Sequence, residues 1–402
     1  MSIIKSSLYI GSLTTMALAL AACQPSTSSS DSSGSKPAAS SAAATNTSAS
    51  GDAITVVIGT VNPLTGPLTH WGVDSANGIK LAIEDANAKN LVWDGKPVKF
   101  ELISEDDMAD PRVATQMADR LVDKKVSAVV GHFSSSTAIP ASLIYDTAKI
   151  PHITYSVTGA KYTQQGFEHV YRVIASDAQQ AVGMAKFAVE KLGIKTFSLV
   201  HDKGAYGEGL ATDFGKEAEK LGAKMLSTEF TTPTSTEFSS VATAVKTKQP
   251  DFVLYGGMDA QAGPLAKELR KQGVNAAFMG SDGIKSEEML KMMGNIDGVY
   301  ASTAGATTDK MPGYSDFAKR YEAAYKQPIA TFAPYAYDAT NVIINAMDQA
   351  KSADPAKYAP LIRQTNMEGI TGKISFDEKG DLKESAQTVY LGKDGKWEVV
   401  PM

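Results

Sequence analysis

From Ile54 to Thr303, short runs rich in Val, Ile, Phe and Tyr alternate with stretches of helical periodicity, and this rhythm restricts the fold more than any other feature. Strand, helix and strand repeated in this way form βαβ units, which build parallel sheets covered on both faces. In the first series, strands are expected at Ile54–Thr60, Val98–Ser104, Ser127–Gly131 and His152–Tyr155, with helices near Gly78–Lys89, Pro111–Lys125 and Ala138–Lys149 between them. Pro111 suits a first helical turn, where its missing N–H costs nothing. His169–Ile174 leads into a second series of strands at Thr196–Val200, Met225–Phe230, Asp251–Tyr255, Ala277–Met279 and Val299–Ser302. Helices near Ala178–Lys191, Glu208–Leu221, Phe238–Lys248 and Gly263–Gln272 separate them. Helices near Tyr314–Lys326, Pro334–Lys351 and Ala356–Gln364 follow, then short strands at Lys373–Phe376 and Thr388–Leu391. The Asp394-Gly395 turn signal pairs the last of these with Trp397–Val400. The halves repeat an architecture without repeating residues. The roughly 350 residues involved exceed the span of one core, about 250–300 residues, so two lobes are expected.

The N-terminus carries an address. Met1 to Ser7 holds one basic residue, Lys5, and Leu8 to Ala22 is largely apolar, so residues 1–22 read as a signal peptide. The apolar run is shorter than the roughly 20 residues that span a bilayer. It ends in Leu20-Ala21-Ala22-Cys23, which resembles the lipobox of bacterial lipoproteins and implies that Cys23 becomes the lipidated N-terminus of the mature chain. Several acyl chains on one residue would give the stable membrane attachment that a single chain does not. Cys23 is the single cysteine, which excludes an internal disulfide and any CxxC site. The segment 24–53 is Ser, Ala, Thr, Gly and Pro with hardly a large apolar residue, so it reads as a flexible tether with a reach of roughly 30 Å.

A formal net charge of -5 with interspersed signs argues against nucleic acid as a partner. His70, His132, His152, His169 and His201 lie far apart in sequence and form no zinc-like pair, so no metal site is expected. Gly131-His132-Phe133-Ser134 is not the GxSxG elbow of a serine hydrolase. Gly204-Ala205-Tyr206-Gly207-Glu208-Gly209 has neither the lysine nor the glycine spacing of a phosphate loop. A non-enzyme without cofactor is therefore expected.

Doubly wound sheets bind ligands at the carboxyl ends of their strands. Five loops there are unusual: Asn62-Pro63-Leu64-Thr65-Gly66-Pro67 with His70-Trp71-Gly72; Gly131-His132-Phe133-Ser134-Ser135-Ser136; His201 to Gly209; Tyr255-Gly256-Gly257-Met258-Asp259; and Gly280-Ser281-Asp282-Gly283. Together, and in this order, they resemble the leucine/isoleucine/valine-binding proteins of ABC transporters, from Ile54 to Met402. The resemblance implies a Venus-flytrap of the periplasmic binding protein kind: α/β, two doubly wound parallel-sheet lobes joined by a hinge. Lobe 1 would comprise about 54–176 plus 306–378 and lobe 2 about 177–305 plus 379–402.

The resemblance also implies a ligand. A branched-chain amino acid would be held by its head group in the cleft of a monomer and passed to a membrane permease. Ser135, at the start of a helix where free N–H groups favour an anion, is the expected partner of the carboxylate. Ser156, Val157 and Thr158, in Tyr155-Ser156-Val157-Thr158-Gly159, match the loop that touches the amino-acid head. Asp282 matches the acidic partner of the ammonium, a position where relatives often carry Glu. Trp71, Tyr206 and Phe332 match the aromatic wall, Met258 stands where some relatives have an aromatic, and Ser134 stands where some have a disulfide cysteine. An amide-, urea- or other amino-acid-binding protein of the same fold with a sensory or regulatory role is the alternative. Replacing Cys23 with Ser removes the thiol that accepts diacylglycerol, so C23S is expected to leave the membrane fraction; retention after signal cleavage would reveal another anchor.

Overall fold

The computed structural model describes residues 53–402; the expected signal peptide, Cys23 and nearly all of the tether lie outside the described residues. Strands β1 (Ile54–Asn62), β2 (Val92–Trp93), β3 (Lys96–Asp106), β4 (Ala128–Gly131), β5 (His152–Thr154) and β6 (Val170–Arg172) form one sheet, in the order β2-β3-β1-β4-β5-β6. It is parallel except for the short β2–β3 pair. Strands β7 (Thr196–His201), β8 (Lys224–Phe230), β9 (Phe252–Gly256), β10 (Ala277–Gly280) and β11 (Val299–Thr303) begin a second sheet. After the separate hairpin of β12 (Asn366–Gly369) and β13 (Gly372–Ser375), β14 (Thr388–Lys393) and β15 (Lys396–Val400) complete it, in the order β15-β14-β11-β10-β9-β7-β8. The inner order β3-β1-β4-β5-β6 recurs as β8-β7-β9-β10-β11, so the expected two doubly wound lobes are present. The second sheet is mixed, because β14 and β15 pair antiparallel at its edge.

Burial follows from the two-residue period of a strand. On β1, Val56 and Ile58 enter the large first core with Phe100, Tyr155 and Ile343, while Val57 and Val61 point to the opposite core with Leu121, Val129 and Tyr145. The second sheet divides likewise, with Val200, Val253, Tyr255 and Phe278 on one face and Phe197, Leu199, Phe252 and Leu254 on the other. Both faces of both sheets are thus consumed by packing. At about 25 cal/mol per Å² of apolar surface, each such large side chain contributes roughly 1.5–3 kcal/mol.

Helices that open on the carboxyl ends of strands begin earlier than their periodicity suggests. They start at Ser135 instead of Ala138, at Ala205 instead of Glu208 and at Asp259 instead of Gly263. The first turns are small and polar, so no apolar stripe marks them. The helix expected near Gly78 starts at Thr69. Gly72 and Gly78 interrupt its pattern for a packing reason: a Cβ would stand 2.1 Å from the Pro63 carbonyl oxygen and 2.2 Å from that of Ala333. The short helix Glu287–Met293 had no sequence signal. Among the described residues no helix is long and apolar enough to cross a membrane.

A buried aspartate on the first of these helices fixes the entry to the helix Ala333–Ala350. Asp74, 1% exposed, accepts hydrogen bonds from the backbone N–H groups of Ala330, Thr331, Phe332 and Ala333 at 2.8–3.1 Å and from the Tyr321 hydroxyl at 3.0 Å. Four consecutive N–H donors, two from the loop before the helix and two from its cap and first residue, find one carboxylate. Asp74→Ala would strand them in the interior, with an expected loss of about 3 kcal/mol of unfolding free energy, read from urea denaturation.

Candidate functional site

The carboxyl ends of the strands from both sheets meet over a small cavity. Trp71, Phe133, Ser134, Ser135, Ser156, Tyr206, Met258, Asp282, Gly283 and Phe332 line it. The structure therefore brings together seven of the nine ligand residues expected from sequence. The other two, Val157 and Thr158, lie in the loop behind: the Val157 side chain joins the core of Ala138, Ile139 and Tyr162, and Thr158 is fully buried.

On the first lobe, Ser134 caps the helix Ser135–Thr147 by accepting from the Ser136 N–H at 3.2 Å. Ser135 follows in the first turn, and its Oγ accepts from the Gly159 N–H at 3.0 Å. The Ser156 hydroxyl donates to the Phe133 carbonyl at 2.6 Å. Arg172, fully buried at the end of β6, holds the loop from behind by donating to the carbonyls of Val157 at 2.8 Å and Gly159 at 3.1 Å. Its Nε donates to Asp381 at 2.6 Å, so one guanidinium ties the loop to the returning C-terminal segment.

The apolar wall is an aromatic cluster. Trp71 meets Phe133 edge-on at 5.4 Å between ring centroids and Phe332 at 5.0 Å, and Phe133 meets Phe332 at 5.3 Å. Such pairs add about 0.5–1.5 kcal/mol to their burial and hold the wall stiff. From the second lobe, the Tyr206 hydroxyl accepts from the Gly283 N–H at 3.1 Å, and Met258 lies just ahead of the helix Asp259–Lys271.

The electrostatics centre on two carboxylates. Asp282, 4% exposed, accepts at Oδ1 from Gln180 Nε2 at 2.8 Å and from the Ser281 hydroxyl at 2.9 Å. Asp177, fully buried at the start of the helix Asp177–Lys186, makes no close hydrogen bond at either carboxylate oxygen among the described residues, and the Thr158 hydroxyl is the polar side chain near enough to favour its charged form. Burial, and then the charge of Asp282, hold the Asp177 carboxyl well above the usual carboxylate range; burial raises Asp282 too. Two buried like charges without a counter-cation are costly. They disappear as a problem when a cation with several N–H donors lies between them.

Asp177 and Gln180 escaped the sequence reading. Ser176-Asp177-Ala178-Gln179 is a capping box, with an acidic residue where the helix dipole favours one, so the local signal already had a complete explanation. The histidines, far apart in sequence, are not all apart in space. His132 bonds Asp107 at 3.1 Å and the Tyr145 hydroxyl at 3.0 Å, and its ring centroid is 5.9 Å from that of His152. This network is buried behind the first sheet, and burial pushes His152 down to about 3.

The family profile described as periplasmic binding protein matches residues 55–396. The chain is 32% identical over 343 residues to the leucine-, isoleucine-, valine-, threonine- and alanine-binding protein of Pseudomonas aeruginosa, covering 85% of this chain and 91% of that protein. Among solved structures, it is similar to the leucine-binding protein LivK of Thermotoga maritima, with a TM-score of 0.79 and 27% identity over 86% of this chain and 98% of that one. The branched-chain amino acid transporter substrate-binding protein LivJ of Streptococcus pneumoniae, solved with isoleucine, gives a TM-score of 0.76 and 27% identity over 86% and 99% of the two chains.

Neutralising Asp177 relieves its repulsion with Asp282. Asp177→Asn is expected to raise the melting temperature of the free protein, since each unit by which a carboxyl is displaced corresponds to about 1.4 kcal/mol. An unchanged or lowered melting temperature would mean that the two carboxylates do not oppose one another.

Proposed function

The chain belongs to the periplasmic binding protein family, and we propose that within it the protein is an extracytoplasmic solute-binding lipoprotein, anchored through Cys23, that captures leucine, isoleucine or valine and delivers it to the permease of an ABC transporter. The observation that carries this reading is the buried Asp282 in a cavity with an aromatic wall, with the fully buried Asp177 behind it and near enough to feel its charge. An α-ammonium supplies the positive charge and the N–H donors that both carboxylates call for. An α-carboxylate is complementary to the first turn of the helix at Ser135. An aliphatic side chain fits against Trp71, Phe133, Met258 and Phe332. A neutral amide or urea would leave two buried carboxyl groups without a cation, which disfavours an amide or urea as the ligand.

Binding requires movement. The cavity is about 10 Å³, room for one water and not for an amino acid. The lobes touch around it, with the Ala205 N–H donating to the Ser136 hydroxyl at 3.0 Å. Opening would take place at the three crossings between the sheets, 173–176, 304–307 and 377–387. Two of these are joined by Arg172, which bonds Asp381 and whose N–H donates to the Gly380 carbonyl at 3.0 Å. Ligand would enter the open form and be enclosed as the lobes close.

The test is a thermal-shift panel of all amino acids, small amides and urea. A ligand that binds only the native state adds about 2.7 kcal/mol at a hundredfold excess over Kd, so leucine, isoleucine or valine should give the large shifts. Asp282→Asn should weaken them by about 3–5 kcal/mol, a hundredfold or more in Kd. A shift confined to an amide or an aromatic amino acid would overturn the substrate, and an Asp282→Asn affinity within threefold of the parent would remove that residue from the ammonium site.

A further inference from the structure

At the rim of the cleft, outside the head-group cavity, three ligating side chains converge from the two lobes. His70, in the first turn of the helix Thr69–Ala88, points its Nε2 across the cleft, 3.0 Å from Asp259 Oδ2 and 3.8 Å from Glu288 Oε2. The three ligating atoms all lie within 4.8 Å of one another. Asp259 is 1% exposed and is steadied by the Ser286 hydroxyl, which donates to its Oδ2 at 2.6 Å, and by the Ala260 N–H, which donates to its Oδ1 at 2.8 Å. Glu288 is partly exposed and meets Lys291 at 3.9 Å through its other oxygen. A solvent-connected hollow of about 620 Å³, lined by His70, Ser286, Glu288 and Lys291, leads to the cluster.

Ligand atoms around a tetrahedral zinc ion, with bonds of about 2.0–2.1 Å, lie about 3.3 Å apart. The two measured separations, 3.0 and 3.8 Å, straddle that spacing. A direct His70–Asp259 hydrogen bond uses one N–H and leaves the nearby Glu288 oxygen without a share; a divalent ion takes all three groups and keeps a fourth position for water. Two carboxylates against one lysine leave the cluster negative. One imidazole with two carboxylates suits zinc, whereas calcium and magnesium require more oxygen ligands. We propose that His70, Asp259 and Glu288 form a zinc-class divalent-metal site that joins the two lobes across the mouth of the closed cleft.

Because the ligands come from both lobes, the ion favours the closed form. By linkage, zinc and the ligand of the cleft strengthen each other by the same factor; this consequence rests on the amino-acid reading above, whereas the site itself does not. The test is calorimetry on the full, tag-free chain with zinc chloride, first alone and then with saturating leucine. One zinc per chain is expected, weakened about tenfold or more by His70→Ala, and weakened also by the isosteric Glu288→Gln. His70 is half-buried at the rim, and circular dichroism checks that the variant folds. Leucine should bind more tightly with zinc present and lose that gain in His70→Ala. Zinc affinity that His70→Ala changes less than threefold overturns the site. Zinc binding that depends on His70 but leaves leucine affinity unchanged overturns the bridge between the lobes. Zinc binding that depends on all three residues in a protein to which leucine does not bind supports the site and overturns the amino-acid reading alone.

Discussion

Both faces of both sheets are covered, and that constraint decides where chemistry can occur. Successive side chains of the central strands β1, β4, β7 and β9 are divided between opposing cores, so little of their length faces solvent, whereas β3, next to the short edge strand β2, keeps Lys99 and Glu101 exposed. Only the strand ends remain, and in a parallel sheet the carboxyl ends all open on the same edge. Helices start there, and Ser135, Tyr206 and Asp259 occupy their first turns. Placing two such edges face to face produces a cleft with anion-binding character at one wall and room for acidic residues at the other.

The cleft so formed is charged in an unbalanced way. Arg172 is the nearest fully buried cation, and its guanidinium is used on the Val157 and Gly159 carbonyls, Thr163 and Asp381. It stiffens the loop, and its charge favours ionised Asp177 only against the larger opposing effects of burial and Asp282. The aromatic wall beside these carboxylates is stiff, because Trp71, Phe133 and Phe332 pack against one another.

Closure links these features. The lobes are covalently joined at three crossings and touch around the cleft through Ala205 with Ser136, His70 with Asp259 and Glu288, and Met258 with the core of the first lobe. Asp74 holds the backbone of residues 330–333, so Phe332 stays with the first lobe while the second moves.

Much of this was legible in the chain itself. Strand–helix alternation determined the two doubly wound lobes, because a period of 2 and a period of 3.6 are local properties that burial must respect. The resemblance carried by the loops at strand ends pointed to Trp71, Ser135, Tyr206, Met258 and Asp282, which the structure brings around one cavity, and the Asp394-Gly395 turn marked the last hairpin. Helix starts were misjudged by three or four residues where capping residues replaced apolar ones. Asp177 was hidden because its neighbours already explained it as part of a capping box. Its lack of a close hydrogen bond is a property of the space around it, which no local pattern encodes. His70, Asp259 and Glu288 are separated by 189 and 29 residues in the sequence, and only the packing of one lobe against the other makes them neighbours. Sequence determined which elements form and which edge they open on, since those depend on neighbours a few residues away; tertiary structure alone decided which charges share one buried volume, since that depends on distances the chain does not carry.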